Sequence, residues 1–460
     1  MKLLLNFWIA MLLLFPQIIC AENNISEPGT KDQELEIAVF DIDATPPIGT
    51  HLTYDIEINK WDLGLRAKGI ILLGAGKPIV ICAVDWIGIA NEGYDAFRNA
   101  LAEGAGTIPE RVDLHTIHQH DAPICDFSSE KILLEQGLDP ICYEGTFARK
   151  VIDRLKTTVA ESLKNKRKIT HVGIGKAEVF KVASNRRIFG ADGHVKGERY
   201  TSCPDSALRA EPEGLIDPMV SLVSFWDGND PVAVLSYYAV HPQSYYRTGV
   251  ANPDFPGVAR FMRQLAVPGA LHVHFNGAGG DLGAGKYNDG AKENRLVLAE
   301  RLADGMRRAW ENTKKEAITS ESVHWGVEPV SFPPASSIKS IGPWLKDADP
   351  VFLANNLFKT AWRNRLQEGE KINITCLKIG KARILGLPGE PFIEYQLFAK
   401  AKRPDLFVVV AAYGDYAVGY IPTDEAYKQG GYEVSEAAGV AHQASSILTD
   451  AIKKLLDGQD

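Results

Sequence analysis

The sequence is poor in the features that would place it in a specialised class. Cysteine is scarce, six in 460 residues, too few for a disulfide framework and without the spacing of a structural metal site. A basic excess is missing: 50 Lys and Arg stand against 58 Asp and Glu, a formal charge of −8, which argues against a nucleic-acid partner. No internal repeat, low-complexity tract or Pro/Ser-rich linker is visible, and the 45% hydrophobic and 23% charged content is that of a globular chain. Beyond residue 20 no stretch approaches ~18 uninterrupted apolar residues, so the mature chain carries no expected membrane span. Histidine is also sparse, at 11, but it is unevenly placed, and the clusters are where chemistry is to be sought.

Met1 and Lys2 precede an apolar run from Leu3 to Cys20, broken only at Asn6, Pro16 and Gln17. With Ala21-Glu22-Asn23 after it, residues 1–21 read as a secretory signal cleaved near Ala21. The competing readings are a membrane anchor, against which Pro16 and Gln17 count, and a lipoprotein signal at Cys20, against which bulky Ile19 counts. The expectation is therefore an exported protein, periplasmic or secreted. Of the remaining cysteines, Cys82 falls in an apolar strand pattern and reads as a buried thiol. Cys125 paired with Cys142 or Cys203 is the expected bridge, because all three sit in loop-like sequence. Asn24 and Asn373 are glycosylation acceptors only in a eukaryotic source.

From about residue 34 short apolar runs alternate with helix-period segments. Strands are expected at Glu36–Ile42, Gly69–Leu73, Pro78–Val84, Val112–Ile117, His171–Ala177, Val220–Trp226, Val232–Val240, Leu271–Phe275, Val323–Phe332, Ile372–Ile379, Ala382–Leu387 and Leu406–Ala412. Helices are expected at Glu92–Gly104, Gly145–Asn165, Pro256–Leu265, Ala291–Thr313, Pro391–Ala401 and Ser435–Leu456. Residues 335–370, rich in Ser, Lys and Trp, read as an insertion. Interleaved strands and helices predict α/β architecture, with mixed sheets flanked by helices in one large domain over 34–458.

Four motifs carry candidate chemistry. In His118-Gln119-His120-Asp121, at the end of an apolar strand, the two imidazoles alternate and are expected on one face, where they suit a divalent metal. Asp121 can orient one of them. His241 follows the apolar run ending at Val240, where functional groups of α/β folds gather. Glu390, in Pro388-Gly389-Glu390-Pro391, is expected at the start of a helix, where a carboxylate gains from the helix N-terminus with or without a metal. Asn276-Gly-Ala-Gly-Gly-Asp281-Leu-Gly283 follows a strand holding His272 and His274. Its glycines suggest close backbone approach, and because Tyr287 follows Lys286 the phosphate-loop ending is missing. A metallo-β-lactamase pattern is excluded, since Asp121 is adjacent to His120 and no histidine trails it.

Together these pieces resemble the neutral, non-lysosomal ceramidase family. His118-Gln-His120-Asp-Ala-Pro is similar to that family's His-x-His-Ser-Gly-Pro, Val240-His241 to its second zinc histidine, and Pro388-Gly-Glu390 to its Pro-Gly-Glu. Tyr420-Ile-Pro-Thr…Tyr427 with Tyr432-Glu433 resembles its Tyr-x-Thr-Thr…Tyr-Glu block. The resemblance covers residues 36–445 and the family's N-terminal catalytic domain, without its C-terminal immunoglobulin-like domain. It implies a zinc site at strand ends, with His118, His241, Glu390 and Tyr420 as ligands and His120 serving substrate or transition state. Asn185-Arg186 resembles the Asn-Arg pair lining the family's site.

Two departures stand out. Gly283 occupies the place of the family's catalytic serine in Gly280-Asp281-Leu282-Gly283, and Asp121-Ala122 replaces Ser-Gly. Metal-bound water then becomes the expected nucleophile, with His120, Asp281 or Asp121 handling the proton and Asn185, Arg186 and Gly283 on the substrate side. Three functions remain open on sequence alone: a zinc-dependent N-acyl hydrolase, the same site acting on a carbohydrate by hydrolysis or elimination, and a non-catalytic binding protein. The expected partner is a small-molecule, lipid or glycan substrate. Tyr237, Tyr238, Tyr245, Tyr246, Tyr287 and Tyr413 lie near the motifs and suit either a sugar face or ordinary packing.

Overall fold

The computed structural model describes residues 34–55 and 57–458; the expected signal segment 1–21, Cys20 and Asn24 lie outside the described residues. Twelve strands fall on the twelve expected segments, with ends displaced by up to three residues. The first sheet holds β1 (Glu36–Asp43), β2 (Arg66–Leu73), β3 (Ile79–Val84) and β4 (Val112–Thr116). The second holds β5 (His171–Glu178), β6 (Met219–Asp227), β7 (Asp230–Tyr238) and β8 (Leu271–Asn276). The third holds β9 (Val323–Val330), β10 (Ile372–Ile379), β11 (Ala382–Gly386) and β12 (Phe407–Ala411). The longer helices are α1 (Asn91–Ala105), α2 (Phe127–Glu135), α3 (Thr146–Ser162), α4 (Asp254–Ala266), α5 (Asn294–Glu311), α6 (Pro350–Gln367), α7 (Ile393–Lys402) and α8 (Ala444–Asp457).

The three sheets share one plan. In each, the first strand pairs antiparallel with the second and the second with the third, while the third and fourth are parallel. A parallel pair needs a crossover rather than a hairpin, and α1, α4 and α7 supply it in turn. A second helix follows each fourth strand. In the first two units a short edge strand, Arg167–Lys168 or Lys314–Ala317, then pairs back onto the first strand. The chain is thus a threefold repeat of topology, contrary to the sequence, where no repeat is visible. The reason is physical: the plan requires only strand-length apolar runs and crossovers of sufficient length, not shared residues.

One face of all three sheets meets in a common core, a single cluster that holds Ile70 and Ile81, Leu235 and Phe275, and Leu377 and Val409. The other faces are covered by α1 and α3 on the first sheet, α4 and α5 on the second, and α2, α6, α7 and α8 on the third. Burial on both faces explains why the strands read as near-continuous apolar runs. The shared core makes this a single α/β domain of mixed sheets flanked by helices. Between the first two units, Arg260 of α4 grips Asp85, just past β3, through two bonds of 2.6 Å.

Several expectations are corrected. The five cysteines at 82, 125, 142, 203 and 376 are all buried and unbridged. Cys125 packs against α1, where a Cβ on Gly93 would come 2.9 Å from its sulfur. Residues 335–370 are not a plain insertion, since they contain α6, and α2 has no counterpart among the expected helices. The last helix begins at Ala444 rather than Ser435.

Candidate metal centre

The loops after the parallel strands converge, the place where α/β folds gather functional groups. His118 and His120 follow β4, His241 follows β7, and Glu390 follows β11. Strand alternation is not what aligns the first two histidines, because β4 ends at Thr116. His118 instead adopts φ 61, a left-handed conformation uncommon outside glycine, and its N–H donates to Trp86 O at 3.0 Å. Glu390 also departs from expectation. It is not on a helix but in a two-residue parallel bridge, Glu390–Pro391 beside Tyr420–Ile421, and α7 starts only at Ile393.

His118 Nε2 lies 3.1 Å from His241 Nε2 and 3.4 Å from Glu390 Oε2, and His241 Nε2 lies 3.8 Å from the same oxygen. His118 Nδ1 is 2.6 Å from Ile87 O and His241 Nδ1 3.3 Å from Gly279 O. A carbonyl only accepts, so each Nδ1 carries the proton and each Nε2 presents a lone pair. Two lone pairs and a buried carboxylate oxygen with no hydrogen-bond partner therefore face one point. Such an acceptor cluster is stable only around a proton or a cation. Imidazole and carboxylate donors, with second-ring nitrogens fixed by carbonyls, are the chemistry of a zinc-type site. The residues fit a divalent metal.

His118, His120 and His241 have ring nitrogens within 4.8 Å of one another. His120 competes with Glu390 for a place in the donor set. Glu390 Oε2 lies 3.4 and 3.8 Å from the two Nε2 atoms, and the His120 ring meets those of His118 and His241 edge-on. His120 stacks on Tyr54 at 4.8 Å, and its Nδ1 is buried without a partner. Burial pushes His120 and His241 well below the usual histidine range, reinforced by neighbouring histidines and Arg186. Both rings are therefore neutral at pH 7. For Glu390 burial acts upward, but a proton on His118 Nε2 in the place of a cation, the Tyr416 hydroxyl and Arg186 outweigh it and hold the carboxyl below its ordinary value.

Around this point Tyr416 donates to Glu390 Oε1 at 2.8 Å and Tyr413 stacks on His118 at 4.4 Å. Tyr420 OH accepts from Arg186 Nη1 at 3.0 Å. Asn185 lies next to this arginine but serves Asp281, donating to Oδ2 at 2.7 Å; Ile393 N donates to Oδ1 at 2.9 Å. Burial pushes Asp281 up to about 7. Asp121 does not orient a histidine: its carboxylate accepts from Arg295 and from Arg247 N, each at 3.2 Å. Gly283 pairs with Ser184, and a Cβ there would sit 3.6 Å from Arg186 Cγ. The glycine-rich loop does make the close approach expected, but to protein: a Cβ on Gly280 would lie 2.4 Å from Glu390 O and one on Gly279 2.9 Å from Val240.

A cavity of about 610 Å³ opens over the histidines and Glu390. Tyr54 and Tyr420 line it, as do Phe352, Asn356 and Lys359 of α6. Tyr54, Tyr416 and Lys359 are not among the sequence candidates. For Lys359 the available signal was Asp349-Pro350, a helix start in which Asp349 caps Val351 N and Phe352 N at 3.0 Å. Of the other tyrosines, Tyr246 meets His120 edge-on at 4.9 Å. Tyr237 and Tyr238 are core residues, while Tyr245 lies under Arg295 and Tyr287 is bonded to Glu213. His272 and His274 are buried on β8 and take no part in the cluster; His274 bonds Ser236.

No protein-family model matches the chain, and no curated protein matches it by sequence. Solved structures do match. A neutral ceramidase from Pseudomonas aeruginosa superposes with a TM-score of 0.65 at 17% identity, covering 93% of this chain and 75% of that one. A ceramidase complexed with C2 gives a TM-score of 0.65 at 16% identity, over 92% of this chain and 75% of that one. The likeness is one of fold: the chain has a ceramidase-like fold.

Proposed function

We propose that this chain is a zinc-dependent hydrolase of N-acyl (amide) bonds, exported under the direction of residues 1–21. The observation that carries the reading is the 3.1 Å approach of two Nε2 lone pairs beside an unpartnered, buried Glu390 oxygen. The ceramidase-like fold supports it, since ceramidases act on an N-acyl bond. His118, His241 and Glu390 would hold the metal, with Tyr420 as the fourth donor; burial pushes the Tyr420 hydroxyl well above the usual tyrosine range and Arg186 acts the other way, so its proton would be lost only beside the cation. When bound, a divalent ion such as zinc polarises a carbonyl and acidifies water.

The chain's own groups do the rest. His120, neutral and with a free buried Nδ1, takes a proton from the attacking water and returns it to the departing amine, giving one acid and one amine per bond cleaved. Asp281 and Asp121 are committed to Asn185, Ile393, Arg295 and Arg247, so they hold structure rather than move protons. Asn185 acts through Arg186 by fixing the loop beside it, and Gly283 keeps clear of the Tyr200 carbonyl, which a Cβ there would approach to 3.3 Å.

The test is elemental analysis and a substrate panel on the purified chain, with N-acyl lipids, N-acyl amino acids and glycosides side by side. Stoichiometric zinc that is lost in His241→Ala and Glu390→Ala, together with acyl release abolished by chelator, is the expected result. Acyl release that survives both chelator and His241→Ala overturns the metal reading. Turnover confined to glycosides overturns the amide reading.

A further inference from the structure

The stretch of α6 that lines the cavity sets polar side chains among the apolar Val351, Phe352 and Phe358. Asn355, Asn356 and Lys359 lie on one face of α6 at the spacing that aligns side chains along a helix, and all three line the cavity. The asparagines are held within the protein: Asn355 accepts from Tyr54 OH at 3.0 Å and donates to Val351 O, and Asn356 donates to Phe352 O at 2.9 Å. Lys359 is different. It is only 4% exposed, and its one hydrogen bond among the described residues runs to a backbone carbonyl, Glu436 O, at 2.9 Å.

An ammonium offers three donors, so Lys359 keeps donor capacity at the cavity wall and has no carboxylate bonded to it. Burying a cation in that state is costly unless something anionic completes it. Burial pushes its pKa down to about 8, with Glu390 and Glu436 acting upward, which leaves it cationic at neutral pH. Arg186, by contrast, is spent on Tyr420, Gly280 O and the nearby Glu433.

We propose that Lys359 is the specificity-determining residue of this cavity and binds a carboxylate carried by the substrate, which is a compact N-acylated acid rather than an uncharged two-tailed lipid. The volume agrees, since about 610 Å³ is the size that encloses a small-molecule ligand. An N-acyl amino acid and an N-acylated acidic sugar share this chemistry. The position of the cleaved bond rests on the hydrolase reading above; the carboxylate contact does not.

The experiment separates the two. The full chain, both zinc-loaded and stripped by chelator, is titrated calorimetrically with two matched pairs: N-hexanoylglycine against its uncharged amide, and N-acetylmuramic acid against N-acetylglucosamine. In the stripped protein the acid of at least one pair is expected to bind about tenfold tighter than its neutral partner, as for one charge-assisted hydrogen bond. The pair that discriminates identifies the source. Lys359→Met is expected to remove the preference and Lys359→Arg to keep it, with unchanged zinc content in both.

Equal binding of acid and neutral partner by the wild type, no binding of any probe, or a preference that survives Lys359→Met overturns the proposal. So does a Lys359→Met protein that loses zinc but keeps its selectivity, because Lys359 would then only balance Glu390. The wild-type comparison needs no variant, so a misfolded substitution does not rescue the idea. Selective binding without turnover by the zinc-loaded chain sinks the hydrolase reading and leaves the carboxylate site standing.

Discussion

Two kinds of connection meet at the cavity, and they are built differently. The loops after the parallel strands carry their donors close to the sheet: His118 lies two residues past β4 and His241 three past β7, each with its Nδ1 on a backbone carbonyl. The excursions between the first and second strands of each sheet, residues 44–65, 179–218 and 331–371, are long. Each nonetheless sends a side chain to the site: Tyr54 onto His120, Arg186 onto Tyr420, and Lys359 into the cavity wall. Metal donors must hold their geometry to within about half an ångström, which strand ends over a shared core provide. The groups that meet the rest of a substrate need less precision, so they can sit on connections whose length is unconstrained by the sheets.

The hardest test of this division is its largest expected effect. His118→Ala or His241→Ala is expected to abolish both stoichiometric zinc and turnover, whereas Lys359→Met keeps its zinc by elemental analysis. Equal metal loss in all three would erase the distinction between the two kinds of connection.

The scaffold beneath the donor loops is the next target. Arg260→Ala leaves Asp85 buried at 0% exposure without its partner, an expected loss of about 3–5 kcal/mol, measurable by denaturant unfolding. Asp85 is two residues from Ile87, whose carbonyl fixes His118, so zinc affinity is expected to fall with stability. A variant that loses stability but binds zinc as before would show that the donor loops do not depend on the packing below them. Smaller again is Tyr416→Phe, which removes only the 2.8 Å bond to Glu390 Oε1. The expected change is about 10–100-fold in zinc affinity with an unaltered unfolding midpoint. No change in affinity would mean that Glu390 is held by its backbone bridge to Tyr420 alone.

The same division explains what could be read in the sequence. Strands buried on both faces appear as apolar runs, and donors that follow such runs stand out: His118 in its His-Gln-His, His241 before Pro242, and Glu390 between Gly389 and Pro391. Tyr416 does not stand out, because its partner is set by how two loops from one sheet meet. Lys359 is hidden because α6 turns polar residues toward a cavity, breaking the amphipathic pattern, although Leu353, Leu357 and Ala361 keep a four-residue step on its buried side. The cysteines mislead for a related reason: loop-like composition suggests exposure, and the core reaches those loops. The threefold plan leaves no trace because topology is encoded in run lengths and crossovers, not in residue identity.

The most delicate prediction concerns stability and bears on the long excursions alone. Burial pushes Lys359 down to about 8 in the folded chain, from 10.5 for a free lysine. Between these values the unfolded state binds more protons, so wild-type stability is expected to rise as pH increases from 8 toward 10.5. A tenfold difference in proton affinity is worth about 1.4 kcal/mol, so the buried charge costs up to about 3 kcal/mol below pH 8. Lys359→Met removes that cost, and its melting temperature at pH 7 is expected to exceed that of the wild type, with the gap closing as pH rises. A variant less stable than wild type at pH 7 would mean that the ammonium is held for the fold, through Glu436 O and the field of Glu390. A more stable one shows a residue that the excursion keeps against its own stability, as expected where a side chain is kept to meet substrate.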